Sequence, residues 1–192
     1  MSNPQLSAAA PELIEAAEAA RERRDLLVLQ VGSLRLGVFA DEADNVTRQP
    51  HVTPLPHAPA AIIGITSVRG GRILTVLDPL ALFDESQAAR AREQQSPEAI
   101  SPPFIIALRG DEQLALAVHR AERIIEIFLD EIEPLAHEAR TDQAGEMNYQ
   151  DQINPHLVRG IIRLGLEAVI ILELSELFST ATQSIERRRQ RS

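Results

Sequence analysis

From Asp25 onward, apolar and polar residues alternate in short runs. Leu27, Leu29 and Val31 alternate with Val28 and Gln30, Gly32 and Ser33 supply a turn, and Leu34, Leu36 and Val38 alternate again with Arg35 and Gly37. This spacing predicts a β-hairpin. Upstream, the stretch from Pro11 to Arg24 is rich in Ala, Glu and Arg, with Leu13, Ile14, Ala17 and Ala20 near helical spacing. It predicts a helix with a thin apolar face, either docked on the body or detached from it. Further on, Ile73 to Leu77 reads as a strand that leads through Asp78 and Pro79 into a short Leu80 to Phe83 segment. A second series opens with Phe104 to Leu108, turns at Gly110 and Asp111, alternates at Leu114, Leu116 and Val118, and continues through Ile124, Ile125 and Ile127. Between the two series, residues 84–103 carry almost no large apolar side chain, as expected of an exposed linker.

Placed side by side, the two series are one pattern used twice. Leu34, Leu36 and Val38 answer Leu114, Leu116 and Val118, and Val52-Thr-Pro54-Leu55-Pro-His57 answers Ile132-Glu-Pro134-Leu135-Ala-His137 in the same register. Gly64 and Ile65 then answer Gly160 and Ile161, and Ile73 to Phe83 answers Val169 to Phe178. Short strands separated by Gly and Pro, with few helical stretches, predict small closed β-barrels rather than a βαβ sheet. The expected domain is 25–179, with lobes of about 25–83 and 104–179 packed on each other around a groove. Residues 1–24 form an added N-terminal helical extension, a short helix ends the second lobe, and 180–192 is a basic tail.

Composition narrows the function. The formal charge of −9 excludes a broad nucleic-acid surface; the exception is the terminal cluster Arg187, Arg188, Arg189 and Arg191, which reads first as a solvated tail. Cysteine is absent, which removes disulfides and thiolate chemistry and fits a reducing compartment. The first ten residues have no basic leader, and no run approaches the ~20 apolar residues of a membrane span. The expected location is cytoplasmic, with no nucleic-acid partner and no direct membrane insertion.

The chain also lacks the motifs of common chemistries: no Gly-x-Gly-x-x-Gly, Walker loop, Gly-x-Ser-x-Gly elbow or His-Glu-x-x-His occurs. His51, His57, His119, His137 and His156 share no ligand spacing, and the acidic stretch Asp41, Glu42, Asp44 reads as a solvated face. The turn Arg69-Gly70-Gly71-Arg72 could cradle an anion, but a tight turn between strands is the simpler reading. Tyr149, alone in the polar run 138–154, is a weak docking hint. Catalytic residues, metal and cofactors are therefore expected to be none.

The stretch Pro59-Ala-Ala-Ile-Ile-Gly64-Ile-Thr-Ser67-Val-Arg69-Gly70-Gly-Arg-Ile-Leu-Thr-Val-Leu-Asp78-Pro-Leu resembles the signature of the CheW-like coupling domains of bacterial chemotaxis, an apolar-Gly-x-x-Asn-x-Arg-Gly turn followed by a strand and an Asp-Leu step. The hairpin near 27–38, the Gly160-Ile161 turn and the closing 169–178 segment fit as well, so the likeness runs from about Asp25 to Phe178. It implies two SH3-like five-stranded barrels and a non-enzymatic scaffold role, linking the cytoplasmic tip of methyl-accepting chemoreceptors to a CheA-type histidine kinase. It also implies partner-binding positions at Ala43, Asn45, Gly64, Ser67, Arg69 and Gly70. Three of these depart from the family pattern: Ser67 replaces the usual Asn, Asn45 replaces a Glu that pairs with the Arg, and Ala43 replaces a larger aliphatic residue. A docking regulator of the kinase without normal receptor coupling is the alternative.

Overall fold

The computed structural model describes residues 21–83, 102–110, 113–135 and 155–178. The expected helix over 11–20, nearly all of the linker, Tyr149, His137 and the arginine tail lie outside the described residues. The C-terminal end of that expected helix is corrected: Arg23 and Arg24 are the first residues of strand β1, Arg23–Val31. Both pair across to β9, so cross-strand hydrogen bonding overrides the helical propensity of the arginines.

The predicted hairpin is present as β1 and β2, Leu34–Phe39, turning at Gly32 with φ +60°. A single 3-10 turn, Ala40–Glu42, carries the chain to β3, Ala43–Arg48. There follow β4, Val52–Thr53, β5, Ile62–Ser67, and β6, Ile73–Leu77, with helix α1, Pro79–Phe83, behind it. The second series gives β7, Phe104–Leu108, β8, Leu114–Val118, β9, Arg120–Phe128, β10, Val158–Leu164, and β11, Glu167–Leu172. The predicted closing helix, α2, spans 174–178.

Two sheets result, ordered β10-β11-β2-β1-β9 and β3-β7-β8-β6-β5-β4. Under the sequence repeat, β5, β6, β8, β7 and β3 correspond to β10, β11, β2, β1 and β9, so the sheets have one topology. Even the single parallel contact recurs, β11 beside β2 and β6 beside β8. The halves, however, exchange their first hairpins. β1–β2 completes the sheet of β9, β10 and β11, while β7–β8 completes the sheet of β3 to β6. The stretches 25–83 and 104–179 therefore each supply strands to both sheets.

The exchange explains the apolar pattern. Along β1, Leu27, Leu29 and Val31 face a core shared by both sheets, while Leu26 and Val28 face a second core lined by Phe39, Ile127, Ile162, Val169 and Ile171. Along β8, Leu114, Leu116 and Val118 enter the shared core, while Ala115 and Ala117 face a third core with Val52, Leu74, Val76 and Ile105. A strand buried on both faces reads as a nearly continuous apolar run, which is what β1 and β7 are. The expected groove between lobes is, at its centre, a packed core.

Candidate functional site

The positions singled out in the sequence fall on β3 and on the turn between β5 and β6. Ala43 is half-buried against the shared core and pairs with Leu108, whereas Asn45 is exposed and pairs with Ala107. The register breaks between them, so Asp44 bulges out of the ladder. Its carboxylate accepts a hydrogen bond from Arg72 Nη1 at 2.7 Å, which ties β3 to the β5–β6 turn.

Ser67 ends β5, exposed, opposite Ile73 at the start of β6. The turn closes with Val68 N donating to Arg72 O at 3.0 Å and Gly71 N donating to Val68 O at 3.2 Å. Gly70 and Gly71 have φ of +88° and +75°, a conformation that disfavours any Cβ. Arg69 projects from this turn, exposed, and makes no hydrogen bond or ion pair with any described residue. Two apolar side chains lie on the same segments, Val46 at 44% exposure and Ile73 at 57%. The Asp44–Arg72 bridge thus brings β3 beside the β5–β6 turn, with Asn45, Ser67, Arg69 and Gly70 exposed and Ala43 packed toward the shared core.

Gly64 is different. It is buried in β5 at a register break, and a Cβ there would overlap the carbonyl oxygen of Thr53 in β4. Its counterpart Gly160 lies against Glu133 in the same way, where Glu133 and Ile161 form a bridge. Both glycines let the chain after a long strand fold back onto the next one. Sequence reasoning missed Arg72, Val46 and Ile73 as neighbours of Asp44; the signal for the ion pair was the second arginine of the turn, which stands where a bridge to β3 can form.

A charged knot sits where the 3-10 turn leaves β2. The Arg24 guanidinium lies 3.6 Å from the centroid of the buried Phe39 ring, and that of Arg159 5.0 Å from it. Arg24 donates to Asp41 at 2.5 Å, and Arg159 to Glu173 at 2.9 Å. The hydrogen bond from Arg159 holds Glu173 below the ordinary glutamate range, and that from Arg24 does the same for Asp41. Glu42 goes the other way: burial raises it, although Arg24 and Arg159 each approach it at 3.7 Å. Its Oε2 is buried without a hydrogen bond. Among the described residues, no group of three or more His, Cys, Asp or Glu could hold a metal ion, and no helix is long and apolar enough to cross a membrane.

Comparison with known proteins decides the family. The profile of the CheW-like domain matches residues 25–182. The chain belongs to the CheW-like domain family. Protein FrzA of Myxococcus xanthus is 32% identical over 107 residues, 56% of this chain and 66% of FrzA. The chain thus spans just under two thirds of that relative. Chemotaxis protein CheW of Treponema pallidum is 21% identical over 159 residues, 83% of this chain and 84% of the relative. Among solved structures, the scaffolding protein TtCheW of Thermoanaerobacter tengcongensis superposes with a TM-score of 0.58 at 21% identity, covering 80% of this chain and 86% of its own. That likeness establishes the fold, and the two sheets are those of a CheW-like domain.

Proposed function

We propose that this CheW-like protein is a non-catalytic coupling adaptor in the cytoplasm, joining the cytoplasmic tip of a methyl-accepting chemoreceptor to a CheA-type histidine kinase. The observation that carries the reading is the family match over 25–182, which takes in both sheets. Two small barrels of SH3 type suit the two sheets: in one, β4 begins four residues after β3 ends and pairs with β5, and in the other the Glu133–Ile161 bridge follows β9 and meets β10. Closure leaves few free edges, so partners must be held by side chains.

The surface formed by β3 and the β5–β6 turn suits that task. Val46 and Ile73 offer aliphatic contact to an amphipathic helix, and Arg69 and Asn45 flank them with polar groups. Arg69 has a planar fork on a long apolar stem and no partner among the described residues, so docking breaks no ion pair within them. Gly70 keeps the turn open, and Gly64 acts from below by fixing the path of β5. Weak single contacts are sufficient in an array, where avidity multiplies them.

The second reading, a regulator that docks on the kinase without normal receptor coupling, is favoured by Ala43, whose side chain packs toward the core. Co-sedimentation of the full chain with receptor cytoplasmic fragments and a CheA-type kinase, alone and together, separates the two. Coupling predicts a ternary pellet that Arg69→Glu weakens. Kinase without receptor in the pellet selects the second reading, and neither partner in the pellet overturns both.

A further inference from the structure

A second, separate site lies at the opposite end of β3. There Arg48, Gln49, Pro50, His51, Pro102, Pro103 and Phe104 surround an open cavity of about 500 Å³. Its frame is rigid. Arg48 pairs with Phe104 across the β3–β7 ladder, Gln49 N donates to Pro103 O at 2.8 Å, and Thr66 Oγ1 donates to His51 O at 2.7 Å. Gln49 is held at φ +47°, a left-handed conformation that costs a non-glycine residue about 1–2 kcal/mol and persists only where its surroundings enforce it.

The side-chain heads, by contrast, are unpaired among the described residues. Neither the Arg48 guanidinium nor the His51 imidazole bonds to a described residue, and both are exposed. Eight described arginines, Arg21, Arg23, Arg24, Arg35, Arg72, Arg123, Arg159 and Arg163, are ion-paired, whereas Arg48, like Arg69, pairs with no described residue. An unpaired fork and an imidazole N–H above a floor of Phe104 and prolines match a carboxylate with an apolar group beside it. The exposed rim of Arg48, Gln49, His51 and Pro103 cannot enclose a small molecule as ligand pockets usually do. A polypeptide passing over the cavity can insert one or two side chains and find its remaining contacts outside.

We propose that this cavity binds an extended acidic segment of a partner protein, in which Asp or Glu adjoins Pro or a large aliphatic residue. Arg48 takes the carboxylate, His51 adds a hydrogen bond, and the Phe104–proline floor takes the apolar neighbour. The chain carries a formal charge of −9, so its overall field repels acidic peptides, and saturable binding of one must be local.

The probe is a fluorescent Glu-Leu-Pro-Glu peptide titrated by anisotropy with the full chain, alongside its Gln-Leu-Pro-Gln counterpart. The expected result is saturable binding of the acidic peptide, weakened at least ~10-fold by Gln for Glu and by Arg48→Glu, and unchanged by Arg120→Glu, an exposed arginine on the other sheet. Amide shifts of a labelled sample should concentrate at 48–51 and 104. Equal loss from Arg120→Glu, equal binding of the neutral peptide, no saturation below about 1 mM, or displacement of the peptide by an equal concentration of inorganic phosphate would each overturn the proposal. The site is independent of receptor and kinase coupling, so Arg69→Glu should leave the peptide titration unchanged.

Discussion

Gly64→Ala is a one-methyl test of how the fold shapes the site. The added Cβ would overlap the Thr53 carbonyl oxygen and come within 2.8 Å of the Thr53 carbonyl carbon and 3.0 Å of Pro54 Cα. All three are backbone atoms, so no rotamer change relieves the clash. β4 must lift instead, and it holds only the pairs Val52 with Thr66 and Thr53 with Ile65. Val52 is also buried in the inner core of that sheet. Overpacking alone costs about 1–3 kcal/mol, and the loss of strand pairing places this variant at the upper end, near ~3 kcal/mol. For a chain of this size, each kcal/mol lowers Tm by roughly 2–4 °C, so the expected fall is about 6–12 °C.

Two comparisons make the test specific. A Cβ on Gly70 would meet nothing within 4 Å, so Gly70→Ala carries only the penalty of its +88° φ, about 1 kcal/mol. Gly160→Ala first meets a side-chain atom, Ile132 Cγ2 at 2.5 Å, then the Glu133 carbonyl oxygen at 2.6 Å, and should fall between the other two. Calorimetric and urea melts on all three variants supply the order. If Gly64→Ala melts within about 2 °C of wild type, or above Gly70→Ala, the account of the close approach is wrong.

Other perturbations should behave as follows. Because burial raises the folded-state value of Glu42 above the ordinary 4.5, its charge lowers stability at neutral pH and this cost is relieved as pH falls through that raised value; Glu42→Gln should remove this gain in pH-dependent urea melts. Glu173 is lowered by Arg159, so its contribution is present above the ordinary 4.5 and lost as pH falls through its depressed value, and Glu173→Gln should reduce stability at neutral pH and flatten the acid limb. Arg69→Glu should change stability by less than ~0.5 kcal/mol yet weaken partner binding at least ~10-fold, whereas Arg72→Ala, which breaks an exposed bridge to Asp44, should cost about 0.2–1 kcal/mol by urea melt. Residues 25–83 expressed alone should show no cooperative melt, since β1, β2 and β6 each lose a neighbour supplied by the second half.

Much of this was legible in the sequence because strand periodicity is local. The β1–β2 hairpin, the alternation at Leu114, Leu116 and Val118, the turn at Gly70 and the matched glycines Gly64 and Gly160 are all written within a few residues. The repeat was equally legible, since equal offsets preserve equal neighbours. The exchange of hairpins was not. Whether Leu36 faces strands of its own half or of the other half leaves the same alternating pattern, because β11 and β6 present nearly identical apolar rows. Nor could alternation show that Leu26 and Val28 are buried on the face opposite Leu27 and Leu29. Which turn arginine is paired was beyond it too: the bulge at Asp44 sets where that carboxylate points, and Arg72 rather than Arg69 meets it. Alternation likewise could not show that Arg35 pairs with Glu122 and Glu167 across the sheet.

The exchange has a mechanical consequence for the site. The chain passes from one sheet to the other through Ala40–Glu42, and β3, which carries Ala43 and Asn45, begins at the next residue. On one side of that crossover, Arg24 and Arg159 pack over Phe39 and reach Asp41, Glu42 and Glu173. On the other, Arg109 N, just beyond β7, donates to Glu42 O at 2.8 Å. The base of β3 is therefore held by strands of both sheets. A force applied at Val46 or Ile73 meets a frame fixed by β7 and β8 beneath it and by the charged knot behind it, so the β3 surface is placed by the whole body rather than by one lobe. The proposed coupling role would use that property, because geometry set at one contact has to be kept at the next.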